Sequence, residues 1–240
     1  MPHIPRLYIA EGLKSNQPVN LAEAQSHHLR HVLRLPGQSP VRLFNASSGE
    51  WEAVYQGKTA LPLKQLRSPQ AEADLWLLFA PLKKEATDFL IEKATEIGVM
   101  RFLPILSDFS QTQRINQERM IANAIAAAEQ CGRLSVPTIN ELLPLEKVLN
   151  SWPPDRALLT GDESGEGLAL RDLPPPVPQK TAFLIGPEGG FSEEERKLWK
   201  KLPFITRINL GPRLLRAETA AIAALSAWQA LYGDGALKPF

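Results

Sequence analysis

The chain has 240 residues, which at roughly 150 residues per domain suits one large domain or a small and a medium one. With 27 Lys+Arg against 26 Asp+Glu the formal net charge is +1, which excludes nucleic-acid binding by overall charge alone and demands a local patch for any such partner. Hydrophobic residues at 44% and charged residues at 22% exclude the composition of a disordered chain.

Residues 1–70 hold eight Lys/Arg and four Asp/Glu, and all four histidines, His3, His27, His28 and His31, fall there too. The short runs RLYIA, VRLFN and WEAVYQG, separated by turns such as NASSGE, read as a small β-domain. From Asp74 the texture changes. Strand-like runs LWLLFA, RFLPIL, RALLT, TAFLI and FITRINL alternate with helical segments, the pattern of a parallel sheet with crossover helices. The polar connection at 68–73 marks the boundary, giving domains 1–70 and 71–240 in an α/β protein. In KKEATDFLIEKATEIG an apolar stripe runs to Gly98, a left-handed helix end. Ser192 and Glu195 form an S-x-x-E capping box. The Pro174–Lys180 stretch predicts an extended connector. The alanine-rich ETAAIAALSAWQALYG predicts a largely buried helix ending at Gly233, with a face available to a second subunit.

One cysteine, Cys131, leaves no intramolecular disulfide and reads as a small buried thiol. With no cysteine among the first-domain histidines, no metal is expected. The opening MPHIPRLYIAEGLK lacks a signal pattern, and the apolar run Leu75 to Leu82 is short of the ~18 residues that span a bilayer. A cytoplasmic protein without membrane contact is expected.

TAFLI runs into GPEGGF and ITRINL into GPRLLR, so two strands each end in a Gly-Pro turn leading to a helix, where open parallel sheets bind ligands. Neither turn is a dinucleotide or P-loop fingerprint. Glu188, Glu193, Glu194 and Glu195 would repel a pyrophosphate at that helix start. A neutral or cationic ligand fits better, and S-adenosylmethionine, an adenosine with a sulfonium and no phosphate, is one.

The segments LIGPEGGFSEEE (184–195), INLGPRLLRAETAA (208–221) and AAEQCGR (127–133) resemble the signature elements of the ribosomal RNA small subunit methyltransferase E family of the SPOUT superfamily. PRLY (5–8) and HHLRHVLRLPGQ (27–38) resemble its PUA-like RNA-binding domain, a small β-barrel, and EKATEIGV (92–99) its first methyltransferase-domain helix. The resemblance implies S-adenosylmethionine-dependent N3-methylation of one uridine in 16S rRNA of the small ribosomal subunit, a homodimer, and a trefoil knot in the C-terminal parallel-sheet domain. It places Gly186, Glu188, Gly189 and Gly190 in one cofactor turn, Leu210, Gly211, Leu215 and Arg216 in another, and Thr160 in a third. Arg216 is the expected cation for the uridine anion, with Glu218 orienting it or helping the proton leave. Arg6, Arg30, Arg34, Lys83 and Arg133 are the expected RNA contacts, with histidines as auxiliary donors. The family usually carries Glu-Arg-Ser after the RFLPIL strand, where this chain has Asp108-Phe109-Ser110, with Arg114 as the nearest cation beyond. Before the first helix of the second domain Lys83 is followed by Lys84, Glu85 and Ala86, without the family's glycine. Two other classes stay open on the residues alone: a methyltransferase for another RNA, and a noncatalytic RNA-binding assembly factor.

Overall fold

Continuous apolar runs against alternating ones separate the two sheets of this chain. The computed structural model describes residues 4–161, 167–174, 180–199 and 201–234, in two units. Residues 1–71 and 125–136 form the first, and residues 72–124 and 137–240 the second.

In the first unit, β1 (Arg6–Tyr8), β2 (Val19–Asn20), β3 (Pro40–Asn45), β4 (Gly49–Tyr55) and β5 (Thr59–Arg67) form one sheet in the order β1-β3-β4-β5-β2. β1 runs parallel to β3 and the other pairs are antiparallel. Alternation puts Leu7, Ile9, Val41, Leu43, Ala53 and Tyr55 into a common core. A helix, α1 (Glu23–His27), continues into a π-helical turn over His28–Val32, followed by Arg34 at φ 53°. Such π-turns and left-handed non-glycine residues are uncommon, cost conformational free energy, and are found more often at functional sites.

Residues 125–136 join this unit, although the sequence alone placed them in the second domain. They are the C-terminal part of α3 (Gln117–Cys131) and its continuation. The reason is polar. Arg6 donates from Nη1 to the carbonyls of Ala128 and Glu129, both at 2.8 Å, and from Nη2 to that of Arg133 at 3.1 Å. Arg67 donates to the Gly132 carbonyl at 2.9 Å, and Glu129 accepts the Tyr8 amide at 3.0 Å. Two guanidiniums thus satisfy carbonyls that a helix end leaves without intrahelical partners.

The second unit is built on a parallel sheet of β6 (Leu75–Phe79), β7 (Arg101–Leu106), β8 (Thr138–Ile139), β9 (Leu143–Pro144), β10 (Ala157–Gly161), β11 (Leu168–Ala169), β12 (Thr181–Ile185) and β13 (Ile205–Asn209). The order is β11-β13-β10-β12-β6-β7-β8, with β9 on β7. All five residues of TAFLI are buried, as expected of a strand covered on both faces. The helices are α2 (Lys84–Ile97), α4 (Leu145–Asn150), α5 (Glu193–Trp199) and α6 (Ala217–Tyr232). α2 ends at Gly98 with φ 103°, where Gln229 of α6 donates to the Ile97 carbonyl at 2.7 Å. A side chain at 98 would collide with that amide, its Cβ 2.6 Å from Nε2. α6 buries Ala221, Ala224, Leu225 and Trp228 and leaves Ser226, Ala230 and Leu231 exposed, so it is less buried than its composition suggests. Of the expected Pro174–Lys180 connector, 175–179 lie outside the described residues. Cys131 is half-buried rather than buried.

Candidate functional site

Parallel pairing puts the carboxyl ends of β10, β12 and β13 side by side. Thr160 is level with Leu184 of β12 and with Arg207 of β13. The turns that follow these strands line a cleft of about 1740 Å³, and every residue lining it belongs to the second unit.

The first turn follows TAFLI. Gly186 sits against Phe191, whose ring would be 2.5 Å from any Cβ at 186, and Phe191 is itself wedged edge-on against Trp199 at 4.5 Å between centroids. Gly190 closes the turn at φ 70°, its amide on the Pro187 carbonyl at 2.9 Å. Helix α5 then starts with the expected capping box: the Ser192 amide donates to Glu195 at 2.8 Å and the Glu195 amide to the Ser192 hydroxyl at 3.2 Å. The second turn follows β13. Gly211 adopts φ 108°, and its amide donates to Asn209 Oδ1 at 2.7 Å.

Gly186, Glu188, Gly190, Leu210, Gly211, Leu215, Arg216 and Glu218 all line the cleft. Lys83, expected as an RNA contact, lines it too. Thr160 does not: it is buried, with its hydroxyl donating to the Leu184 carbonyl at 3.3 Å, and the neighbouring Gly161 is the residue that reaches the cleft. Gly189 is outside the lining and packs on Phe109. Arg216 is exposed at the N-cap of α6, and neither it nor Glu218 has an ion-pair or hydrogen-bond partner through its side chain among the described residues. Arg216 and Glu218 form no ion pair with each other at the helix start among the described residues.

The first-unit cations divide. Arg30 and Arg34 are exposed, as are His27, His28 and His31, with the His27 and His31 rings 4.8 Å apart. Arg6 and Arg133, both expected to contact RNA, are engaged within the protein. Arg6 pairs with buried Glu50 at 2.7 Å, stacks 4.2 Å over Phe44 and holds three carbonyls. Arg133 is buried and donates to Ser135 at 2.9 Å. Neither sequence position nor a family resemblance carries information about such internal partners.

Sequence reasoning missed the cations Arg196, Arg207 and Arg213 and the apolar walls Leu184, Ile185 and Phe191. Their proximity to the two Gly-Pro turns was the available signal. The cleft offers apolar walls, three carboxylates at Glu85, Glu188 and Glu218, and the buried Trp199 indole N–H, which has no acceptor among the described residues. With Lys83, Arg196, Arg207, Arg213 and Arg216 also in the lining, the cleft presents both signs of charge, and its carboxylates suit a nucleoside-like cation. At about 1740 Å³ the cleft also exceeds the ~300–1000 Å³ of a usual small-molecule site, leaving room for a second reactant.

Residues 69–229 match the model of the RNA methyltransferase domain family. The ribosomal RNA small subunit methyltransferase E of Rickettsia conorii is 31% identical over 227 residues, covering 92% of this chain and 93% of that protein. The chain belongs to this methyltransferase family. Its relative of the same name from Buchnera aphidicola (Acyrthosiphon pisum) is 31% identical, covering 96% of this chain and 95% of that one. A crystal structure of the Neisseria gonorrhoeae methyltransferase E, bound to S-adenosylmethionine, superposes with a TM-score of 0.84 at 27% identity, covering 97% of this chain and 99% of that one. The family match includes the Gly-Pro turns, Arg216 and Glu218.

Proposed function

We propose that this chain transfers a methyl group from S-adenosylmethionine to N3 of one uridine in 16S rRNA, within the small ribosomal subunit. The observation that carries the reading is the convergence of both Gly-Pro turns, Arg216, Glu218 and Lys83 on one cleft. Gly186, Glu188, Gly190, Leu210, Gly211 and Leu215 would hold the cofactor, through backbone groups and apolar contact rather than side-chain chemistry.

Bound there, S-adenosylmethionine supplies an activated methyl group, and this chain's residues must position uridine N3 and manage its proton. The N3–H bond breaks, its electron pair stays on nitrogen and forms the new bond to the methyl carbon, and the sulfur departs as a neutral thioether. Arg216, exposed and without a side-chain partner, steadies the negative charge that deprotonation spreads onto O2 and O4. Glu218, in the first turn of α6, accepts the proton or holds the guanidinium in place. Lys83, Arg30 and Arg34 meet phosphates, which fix register without reading sequence.

The finer fold belongs to the same reading. The first unit is PUA-like and the second a SPOUT domain with a trefoil knot, in which α6 follows β13 and packs on α2 and β12. The working unit is a homodimer in the cytoplasm, using the exposed residues of α6. The test is methyl incorporation from labelled S-adenosylmethionine into small subunits lacking native modification, followed by nucleoside mass analysis. 3-Methyluridine is the expected product; any other methylated nucleoside, or transfer to tRNA alone, overturns the assignment.

A further inference from the structure

We propose that Phe109 is a stacking platform for a nucleobase that flanks the methylated one, an inference that rests on RNA being the substrate. Phe109 is 52% exposed, in the Asp108-Phe109-Ser110 triplet after β7. An exposed ring on a loose loop would mean little, but this loop is pinned on both sides. The Asp108 amide donates to Glu195 at 3.1 Å, and the Ser192 hydroxyl donates to the Asp108 carboxylate at 2.5 Å. Ser107 and Ser110 close a turn, with the Ser110 amide on the Ser107 carbonyl at 3.0 Å and the Ser107 amide on the Ser110 hydroxyl at 2.9 Å. Gln111 reaches Glu188 at 3.3 Å.

These bonds fasten the triplet to the first Gly-Pro turn and to the capping box of α5, so the backbone that carries the ring is held beside the cleft. Its base packs on Gly189, where an added Cβ would be 3.3 Å from Phe109 Cβ. Gly189 and Phe109 are absent from the cleft lining, whereas Gly186, Pro187, Glu188 and Gly190 belong to it. The ring therefore adjoins the wall of the cleft from outside, in reach of a neighbour of the reacting nucleotide.

The surroundings decide the occupant. Asp108, Gln111, Gln113 and Arg114, within five residues of Phe109 along the chain, are exposed, so the segment that carries the ring is polar rather than apolar of the kind that seats a protein partner. An exposed aromatic ring in a segment carrying exposed amide and guanidinium side chains matches a nucleotide, with the base on the ring and polar groups for the backbone. Stacking of this kind is tolerant of base identity. It sets how well the RNA is held, not the chemistry at N3.

The experiment measures methylation kinetics on unmodified small subunits, together with S-adenosylmethionine affinity and light-scattering mass. Phe109→Ala and Phe109→Leu are each expected to raise KM for the subunit about tenfold, with kcat, cofactor affinity and oligomeric state held within twofold. Phe109→Trp and Phe109→Tyr are expected to restore KM. Wild-type kinetics for Phe109→Leu would refute the proposal alone, as would a changed mass or weakened cofactor binding, which would mark the ring as an interface or packing residue. Absence of methyl transfer by the unaltered protein to any RNA would overturn this proposal and the function it rests on together.

Discussion

Replacing Arg6 by alanine separates a structural arginine from an RNA-binding one. Its guanidinium pairs with Glu50 at 2.7 Å and holds the carbonyls of Ala128, Glu129 and Arg133. The Glu50 side chain is only 2% exposed; its remaining cations are Arg67 at 3.3 Å and half-exposed Arg42 at 3.8 Å. Removing one partner of a buried pair costs about 3–5 kcal/mol, because the other charge stays buried. A unit of about 80 residues has about 4–12 kcal/mol of stability in total. At ~4–8 °C per kcal/mol the melting transition of the first unit should fall by at least about 12 °C. The assay is scanning calorimetry with an S-adenosylmethionine titration below the new transition, where affinity should stay within twofold because the cleft lies wholly in the second unit. Arg6→Lys should recover only part of the loss, since one ammonium cannot span a carboxylate and three carbonyls as a planar fork does. A transition within 3 °C of wild type, accompanied by a tenfold loss of RNA affinity, would refute the reasoning and return Arg6 to the RNA surface.

Arg216→Ala should lower kcat about 100-fold at saturating cofactor and RNA, the usual cost of one charge-stabilising donor, with the melting temperature unchanged because the side chain has no partner among the described residues; near-normal turnover would remove Arg216 from the chemistry. Gly186→Ala should destabilise the second unit by about 1–3 kcal/mol and weaken cofactor binding, since its Cβ would meet the Phe191 ring at 2.5 Å and Trp199 blocks retreat; denaturant titration and calorimetric binding check both. Burial pushes the Glu129 carboxyl above the usual carboxylate range, against the opposing pull of the Tyr8 amide, Arg6 and His28. A carboxyl raised in the folded state binds its proton more tightly there, so this group makes stability fall as pH rises from the ordinary carboxylate value through the folded one. Glu129→Gln keeps an acceptor for Tyr8 and should flatten that limb in melting curves recorded from pH 4 to 7; an unchanged slope would clear Glu129 of any part in it.

How far the sequence discloses this molecule depends on the range of the interaction. Local signals are visible: the Ser192–Glu195 box forms, Gly98 is left-handed, and the continuous apolar run TAFLI is wholly buried. Each is settled by neighbours a few residues away. What the sequence hides is settled across more than a hundred residues. Arg6 and the carbonyls of 128, 129 and 133 meet at separations of 122 to 127, and nothing periodic in either segment announces that 125–136 will leave the second unit. The site is intermediate. Two Gly-Pro turns after two strands mark a pocket, but strand order is needed to bring Lys83 and Gly161 to it, and order is not a local property.

The carboxylates around the first turn show how a correct inference can rest on an incomplete picture. Their number argued against a phosphate ligand, yet they are not equivalent. Glu195 is committed to the capping box and to the Asp108 amide, Glu193 faces Lys197 at 3.8 Å, and only Glu188 of the group lines the cleft. Lys83, Arg196, Arg207, Arg213 and Arg216 line it too, against Glu85, Glu188 and Glu218, so the cleft as a whole is cationic while the turn is not. That division is what a reaction between a sulfonium and a polyanion requires. Under the proposed function the positive reactant would be tolerated beside Glu188, and the negative one would meet the Arg213 and Arg216 guanidinium groups beyond β13. With both signs of charge in a single cleft, neither reactant would have to displace the groups that hold the other, and Arg216 stands in the β13 turn just before Glu218, which has no side-chain partner among the described residues.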